Sequence, residues 1–124
     1  MGMEVILDTN FIISCVRKNI DFMAQLEDQG FKIVVPREVM DELKDLRFRR
    51  GHDDRFAIDL ALQMFERNNV KKIKLGHRRV DEGLIIKGKQ GIHIATLDKE
   101  IRRNVPNSII IYSAQKSVGV ESKN

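Results

Sequence analysis

Apolar residues along this chain occur in two patterns that alternate from one end to the other. Short aliphatic or β-branched runs predict strands over residues 4–7, 31–35, 70–75, 92–96 and 109–112. Between these runs, apolar residues recur every three or four positions and predict helices over residues 11–16, 22–28, 36–46, 54–68, 81–89 and 99–103. The sequence therefore predicts strands separated by helices along its whole length.

The breaks between predicted elements fall at residues with special backbone preferences. Gly30 marks the turn before the second strand, and Pro36 stops that strand and suits the first turn of the next helix. Gly51 separates that helix from the fourth, for which Asp53 is a suitable N-cap. The apolar positions that predict the buried stripe of the fourth helix are Phe56, Leu60, Met64 and Phe65.

Alternating strands and helices are typical of an α/β fold, with strands joined by right-handed crossovers. We therefore expect a three-layer α/β/α domain with a parallel sheet of about five strands. With 124 residues, of which 42% are hydrophobic, the chain is long enough to bury one core. We assign residues 1–117 to a single domain and expect residues 118–124 to be a flexible C-terminal tail.

Targeting features and cysteine content narrow the class of protein. No apolar run is long enough to span a membrane, and residues 1–13 lack the basic start and long apolar core of a signal peptide. We therefore expect a cytoplasmic protein with no membrane partner. Cys15 is the only cysteine, so it cannot form an internal disulfide, and its apolar neighbours predict a helix face that packs into the core.

Positive charge is concentrated in the middle of the chain. The formal net charge is +4, and most of the 22 Lys and Arg residues lie between residues 44 and 103. The dense clusters at residues 47–50 and 71–79 predict contacts with phosphates, although such clusters are commonly no more than solvated faces and loop ends. The candidate contacts in these clusters are Arg47, Arg49, Arg50, Arg78 and Arg79.

Four acidic residues stand where they could face one crevice. Asp8 and Asp98 each follow a predicted strand, at the edge where parallel α/β sheets bind ligands. Glu42 lies at the border of the buried face of its helix, and Asp81 lies on the same side as the apolar stripe of a later helix. Asp8, Asp81 and Asp98 also have an ordinary structural explanation, because aspartates cap helix N-termini. Stabilisation by the helix dipole explains Glu38 and Asp41, in the first turn, better than it explains Glu42.

The combination of these acids is more informative than any one of them. Converging carboxylates repel one another unless a cation lies between them, and oxygen ligands suit one or two Mg²⁺ or Mn²⁺ ions. Such ions activate water and stabilise the charge that develops on a cleaved phosphodiester. A thiol protease or zinc site is disfavoured, because Cys15 has no neighbouring His and the three histidines His52, His77 and His93 are scattered.

Five segments, in order and over nearly the whole chain, resemble the PIN domain, the fold of toxin-type ribonucleases and ribosomal-RNA-processing nucleases. The pattern of Thr96, Asp98, Glu100 and Arg102-Arg103 particularly resembles archaeal and eukaryotic rRNA-processing members, and the VapC-type toxins are the runner-up branch. The five segments are Val5-Ile6-Leu7-Asp8-Thr9-Asn10, Val34-Val35-Pro36 with Glu42-Leu43, Asp81-Glu82-Gly83-Leu84-Ile85, Ala95-Thr96-Leu97-Asp98-Lys99-Glu100-Ile101-Arg102-Arg103 and Ile109-Ile110-Ile111-Tyr112.

This resemblance implies a role for particular residues. Asn10 and Thr96 would be polar neighbours that steady ligands or water. Glu82 and Glu100 stand as alternatives to the acids beside them, and Arg102 joins the candidate RNA contacts. The catalytic, metal-binding acids would be Asp8, Glu42, Asp81 and Asp98.

The resemblance also implies a function. The protein would use Mg²⁺ or Mn²⁺ to hydrolyse phosphodiester bonds of single-stranded RNA, in RNA or rRNA processing, with a ribosomal precursor particle as a partner. One alternative is a VapC-like toxin ribonuclease whose cleft is covered by an antitoxin. Another is a non-catalytic scaffold that binds RNA or the ribosome. Dimerisation is common in the family, so a second copy of the chain is a further candidate partner.

Overall fold

The computed structural model describes residues 2–123, and they form one α/β domain. The strands are β1 (Met3–Leu7), β2 (Phe31–Pro36), β3 (Lys71–Ile73), β4 (His93–Ala95), β5 (Ser108–Tyr112) and β6 (Ser117–Val120). The helices are α1 (Thr9–Arg17), α2 (Phe22–Asp28), α3 (Arg37–Leu46), α4 (His52–Arg67), α5 (Val80–Lys89) and α6 (Lys99–Arg103). Apart from these helices, the described residues contain one short 3₁₀ turn, at Ser113–Gln115.

The strands make one sheet in the order β3-β2-β1-β4-β5-β6. The first five strands in this order are parallel, and β6 is antiparallel to β5. The chain builds the sheet outward from β1 through β2 to β3, then returns to place β4 on the other side of β1. Strand order therefore reverses at β1, and a crevice opens at the carboxyl ends of β1 and β4.

Alternate residues of the central strands point to opposite faces of the sheet, and each face has its own core. Val5 and Leu7 of β1 belong to the larger core, which they share with α1, α2, α3 and α4. Ile6, between them in sequence, belongs to a smaller core with residues of α5 and α6. This arrangement confirms the predicted three-layer α/β/α fold.

The larger core is organised by aromatic residues and by Cys15. Phe22 makes edge-to-face contacts with Phe11 and Phe65, each with ring centroids 6.3 Å apart. Cys15 is fully buried, as its apolar neighbours predicted, and burial raises the pKa of its thiol to about 12. Cys15 therefore packs as an apolar residue and is not a reactive thiol.

The buried stripe of α4 differs from the predicted one. Phe56 is 58% exposed and Leu60 is 41% exposed, so these two positions were wrongly assigned to the core. The buried side chains of α4 are Ala57, Ile58, Ala61 and Phe65. The helix begins at His52 after Gly51, which places Asp53 inside the first turn and not at the N-cap. The small alanines allow α1 to pack against this face of α4.

The C-terminal segment also differs from its prediction, because residues 117–120 form β6. Gln25 and Gln29 of α2 hydrogen bond to its outer edge: the Gln29 side-chain amide donates to the Val118 carbonyl oxygen, at 2.9 Å. The Gln25 side-chain oxygen accepts from the Val118 N–H, also at 2.9 Å. The expected flexible tail over residues 118–124 is therefore wrong for the part that pairs with β5.

Across the described ranges, none of the helices has the length and apolar character needed to cross a bilayer.

Candidate active site

Asp8 lies at the centre of the crevice, directly after β1, and is the N-cap of α1. Its backbone N–H donates to the Ala95 carbonyl oxygen at 2.9 Å, which extends the pairing of β1 with β4. One carboxylate oxygen accepts from the Thr9 N–H at 2.8 Å, and the other accepts from the Thr96 hydroxyl at 2.7 Å. These contacts hold the Asp8 carboxylate in a single orientation at the carboxyl edge of the sheet.

The electrostatic environment of Asp8 is unfavourable for its negative charge. Burial raises the pKa of the Asp8 carboxyl above its ordinary value, and the charges of Glu42 and Asp98 raise it further. Hydrogen bonds from Thr96 and Thr9 lower this pKa and only partly offset the effect of burial. The site thus brings three carboxylates within electrostatic reach of one another, and a cation would relieve their repulsion.

Thr96 links Asp8 to Asp98. Its side chain is fully buried, and its hydroxyl oxygen accepts from the Asp98 N–H at 3.1 Å while the hydroxyl donates to Asp8. The Asp98 carboxylate is the N-cap of α6 and accepts from the Glu100 N–H at 2.8 Å. Thr96 therefore sets the relative positions of the two aspartates that follow adjacent strands.

Glu42 approaches the same region from α3. Its carboxylate accepts a hydrogen bond from the Thr9 hydroxyl, although the side chain is otherwise exposed. Thr9 is buried at the start of α1, so this hydrogen bond places the Glu42 carboxylate close to Asp8. Because Val39, Met40 and Leu43 of α3 are buried, the helix presents Glu42 at the border of its apolar face.

Asp81 occupies a different environment from the other three acids. Its carboxylate is 39% exposed and pairs with Arg79 at 3.1 Å, and its other oxygen accepts from the Glu82 N–H at 3.0 Å. Asp81 is not among the charges that shift the pKa of Asp8. Of the alternative acids, Glu82 is exposed, and Glu100 pairs with Arg103 at 3.4 Å.

A cavity of about 690 Å³ adjoins the acidic end of the crevice. Asp8 and Asp98 line one end of it, and one face of α1 forms its wall, because positions 10, 13, 14 and 17 recur at helical spacing. Asn10 is exposed within this wall. The remaining lining residues are Lys18, Arg50, Asp54 and Leu97.

The six arginines predicted to contact RNA are scattered over the surface. Within residues 2–123, Arg50 alone of the six lines the cavity beside Asp8 and Asp98. Arg78 is exposed. The other four are held by acids elsewhere: Arg47 by Asp59, Arg49 by Asp45, Arg79 by Asp81 and Arg102 by Glu121.

Sequence reasoning missed three charged residues of the cavity, which are Arg17, Lys18 and Asp54. Arg17 and Lys18 end α1, and a polar stripe on that helix behind Asp8 was the signal that could have identified them. Asp54 looks like an ordinary acidic residue in the first turn of a helix, so no local pattern distinguishes it.

The side-chain oxygen atoms of this site are of the chemical type that binds a hard divalent cation. Asp8, Glu42 and Asp98 offer only oxygen atoms, which is the ligand type that Mg²⁺ and Mn²⁺ prefer. Burial is the main reason that the pKa of Asp8 is raised, and the charges of Glu42 and Asp98 add to it. Within the part of the chain that is described, however, no three His, Cys, Asp or Glu side chains are placed closely enough to hold a metal ion as they stand. Metal binding at this site would therefore require side chains to move together.

The histidines lie apart from this site. The imidazole of His93 packs against the ring of Phe31, with ring centroids 4.8 Å apart, and burial lowers its pKa. His52 and His77 are exposed. His93 is the first residue of β4, His52 is the first residue of α4, and His77 lies between β3 and α5.

Comparison with known proteins supports the resemblance found in the sequence. A family model described as a PIN like domain matches residues 5–113. The solved structure of the PIN domain endonuclease Utp24 has the same fold, with a TM-score of 0.73 and 22% sequence identity over 95% of this chain and 90% of that one. No curated protein matches the sequence.

Proposed function

Because the chain belongs to the PIN-like domain family, we propose that it is a ribonuclease that uses Mg²⁺ or Mn²⁺ to hydrolyse phosphodiester bonds of single-stranded RNA. The observation that supports this most directly is the half-buried Asp8 carboxylate, held by Thr9 and Thr96 and repelled by Glu42 and Asp98. A structural N-cap does not require two further carboxylates beside it.

The residues of the site have distinct parts in this activity. Asp8, Glu42 and Asp98 would hold the metal, and Thr96 would keep the two aspartates in register. The bound ion would supply an activated water and would neutralise charge on the scissile phosphate. The positive end of the cavity would bind the RNA backbone, since phosphate contacts from Lys and Arg provide most nonspecific affinity.

Asp81 is the fourth proposed ligand, by resemblance to the family pattern. It would have to release Arg79 before it could bind the ion, because that arginine now pairs with it at 3.1 Å. We therefore expect Asp81→Asn to reduce the rate of cleavage less than Asp8→Asn does.

A role in RNA or rRNA processing is the proposed setting for this activity. The segment that contains Thr96, Asp98 and Glu100 resembles rRNA-processing members of the family, and the fold of the endonuclease Utp24 covers nearly the whole chain. A ribosomal precursor particle is the corresponding proposed partner.

The test is cleavage of end-labelled single-stranded RNA with Mn²⁺, with Mg²⁺ or with a chelator. We expect cutting with either metal, no cutting with the chelator, and loss of activity in Asp8→Asn, Asp98→Asn and Glu42→Gln. Asp41→Asn is the matched control, since Asp41 precedes Glu42 on α3 and is exposed. Cutting that persists in the chelator or in the Asp8 and Asp98 variants would contradict the proposal. RNA binding without any cutting would instead favour a non-catalytic scaffold.

A further inference from the structure

The end of the cavity away from Asp8 and Asp98 is positively charged. Arg17 and Lys18 approach it from the end of α1, and Arg50 approaches it from the segment between α3 and α4. Arg17 is seven residues beyond Asn10 on the wall of the cavity, so the two positions are separated by about 10 Å along the helix axis. The cavity is thus acidic at one end and basic at the other.

Both arginines are held by one carboxylate. Asp54 accepts from the Arg17 guanidinium at 2.9 Å and pairs with the Arg50 guanidinium at 3.1 Å. The Asp54 side chain is only 15% exposed, whereas Arg17 and Arg50 are 51% and 42% exposed. Asp54 is therefore the fixed centre of the group, and the two guanidiniums extend from it toward solvent.

This group keeps an excess of positive charge and of hydrogen-bond donors. Two guanidiniums share the Asp54 carboxylate at these distances. Asp53 also pairs with Arg17, at 3.9 Å, but it is not among the residues that line the cavity. Each guanidinium carries five N–H donors, of which Asp54 uses a minority. Lys18 adds a third positive charge, with its ammonium anchored on the Ser113 hydroxyl at 3.1 Å.

The arrangement differs from the other ion pairs that involve candidate RNA contacts. The Asp45–Arg49 pair also links residues four apart near the end of α3, but it lies outside the cavity and both side chains are mostly exposed. Arg102 is engaged by Glu121 at the C-terminal end of the chain. Arg17 and Arg50 combine a shared buried anchor with a place on the wall of the cavity that contains Asp8.

We propose that Arg17 and Arg50 form a subsite for a backbone phosphate next to the one that is cleaved, and that Asp54 is the positioning residue that holds them. The inference rests on the proposed ribonuclease function. Because Asp54 retains both guanidiniums at the far end of the cavity, they contact a neighbouring phosphate and not the one beside Asp8 and Asp98. RNA would thus cross the site along the exposed face of α1.

The test measures the affinity of a fluorescein-labelled single-stranded RNA in chelator, where cleavage does not interfere, at several salt concentrations. We expect Arg17→Ala and Arg50→Ala each to weaken binding about five- to tenfold. Each should also reduce the slope of log affinity against log salt by about 0.7, the value for one phosphate contact on a single strand. Arg67→Ala is the control, because Arg67 is exposed at the end of α4 and does not line the cavity, and it should change neither quantity.

The Asp54→Asn variant tests whether Asp54 positions the two arginines or only changes the net charge of the site. Removing a negative charge from a site that only attracts RNA electrostatically would tighten binding. If Asp54 orients the arginines, the variant instead weakens binding severalfold, and Asp45→Asn, the matched control, does not. In cleavage assays with Mn²⁺, Arg17→Lys and Arg50→Lys should raise KM with little change in kcat, which distinguishes a lost phosphate contact from general damage to the fold.

The outcomes of these assays separate the subsite from the nuclease activity. Binding that depends on Arg17 and Arg50 without any cleavage by the wild type would support the subsite and overturn the proposed function. Cleavage by the wild type, with unchanged affinity and salt slope in the Arg17 and Arg50 variants, would overturn the subsite alone. Tighter binding by Asp54→Asn would also overturn it.

Discussion

At the scale of single residues, the environment of Asp8 opposes stability while it favours a role in binding cations. Most acids that cap helices are exposed, and they stabilise the helix at little cost. Asp8 is largely buried, and Glu42 and Asp98 add to the cost of its charge. Buried charges without a counter-ion are expensive, so this residue is better explained by a ligand than by the fold.

A stability measurement on Asp8→Asn tests this explanation. Because the folded-state pKa of Asp8 is raised, its ionised form destabilises the fold at neutral pH. In metal-free buffer we expect Asp8→Asn to raise the free energy of unfolding by roughly 1 kcal/mol. The difference should vanish below about pH 3.9, where the carboxyl is protonated in both states. Urea denaturation at several pH values measures it.

Divalent metal should make the wild type more stable than the Asp8→Asn variant, which reverses the order expected in metal-free buffer. Mn²⁺ at about a hundred times its dissociation constant should stabilise the wild type by about 2.7 kcal/mol. The asparagine variant, which has lost a ligand, should gain little. Equal stabilisation of both proteins by Mn²⁺ would show that the ion binds elsewhere.

At the scale of elements, α5 packs closely against β4 and against the segment that precedes β5. Gly88 faces Val105 and Ile94, and a Cβ atom at that position would come within 2.3 Å of a Val105 methyl carbon. A glycine in the interior of a helix ordinarily lowers stability. At position 88 glycine is nevertheless the residue that suits the fold, because a larger side chain would not fit.

Gly88→Ala is therefore expected to destabilise the protein, although alanine is the better helix former. Overpacking against Val105 should lower the free energy of unfolding by about 1 to 3 kcal/mol. Gly51→Ala is the control, because a Cβ there meets no heavy atom within 4 Å. Because Gly51 is the N-cap of α4, where alanine is disfavoured, we expect a smaller cost of about 0.5 kcal/mol that comes from the cap and not from packing. Thermal or urea unfolding measures both, and a neutral Gly88→Ala would contradict the packing argument.

The outer edge of β6 is held by side chains of α2. The side-chain amides of Gln25 and Gln29 bind the backbone of Val118, and Gln25 also donates to the Lys116 carbonyl oxygen at 3.2 Å. They occupy the hydrogen-bonding groups that another strand would use, which protects the edge from pairing with a second chain.

Replacing both glutamines by alanine should expose this edge. We expect the Val118 amide hydrogen to exchange faster with solvent, and stability to fall by about 1 kcal/mol per hydrogen bond lost. Gln63→Ala, at an exposed position of α4, serves as the comparison. Hydrogen exchange followed by NMR distinguishes the two variants, and unchanged protection of Val118 would show that the amides do not hold the strand.

At the scale of the whole molecule, the C-terminal residues are tied to α6 beside the site. Glu121 forms hydrogen bonds to Arg102, and the Lys123 ammonium donates to the Arg102 and Val105 carbonyl oxygens at 2.6 Å. The bond from Arg102 lowers the pKa of Glu121, and the charges of Arg102 and Lys123 lower it further. The end of the chain thus helps to hold the helix that Asp98 begins.

This contact predicts an acid-sensitive contribution to stability. Because the folded-state pKa of Glu121 is lowered, its contribution is present at neutral pH and is lost as pH falls below about 4.3. Glu121→Gln should cost about 0.5 to 1 kcal/mol at neutral pH and nothing in acid. Glu66→Gln, at an exposed position of α4, should cost nothing at either pH. A difference for Glu121→Gln that is independent of pH would argue against the ion pair.

Much of this fold follows from local patterns. The predicted helices over residues 22–28 and 99–103 coincide with α2 and α6, because Gly30 and Asp98 mark their ends clearly. The five parallel strands were predicted from their β-branched runs. In α4, by contrast, two sets of apolar residues have helical spacing, and the larger side chains suggested the wrong face. Alanines can be buried where another helix approaches closely, and spacing along one helix does not reveal that approach.

The sequence by itself determined the order of the five parallel strands and the six helices, the family, and the acids that follow β1 and β4, because each depends on residues near one another in the chain. Only the tertiary structure decided which charges meet. It brought Arg17 of α1 to Asp54 of α4, 37 residues further along the chain, and it left Asp81 beside its sequence neighbour Arg79 instead of beside Asp8. Contacts of this kind depend on how helices pack across the sheet, and the period of a single element carries no record of its neighbours.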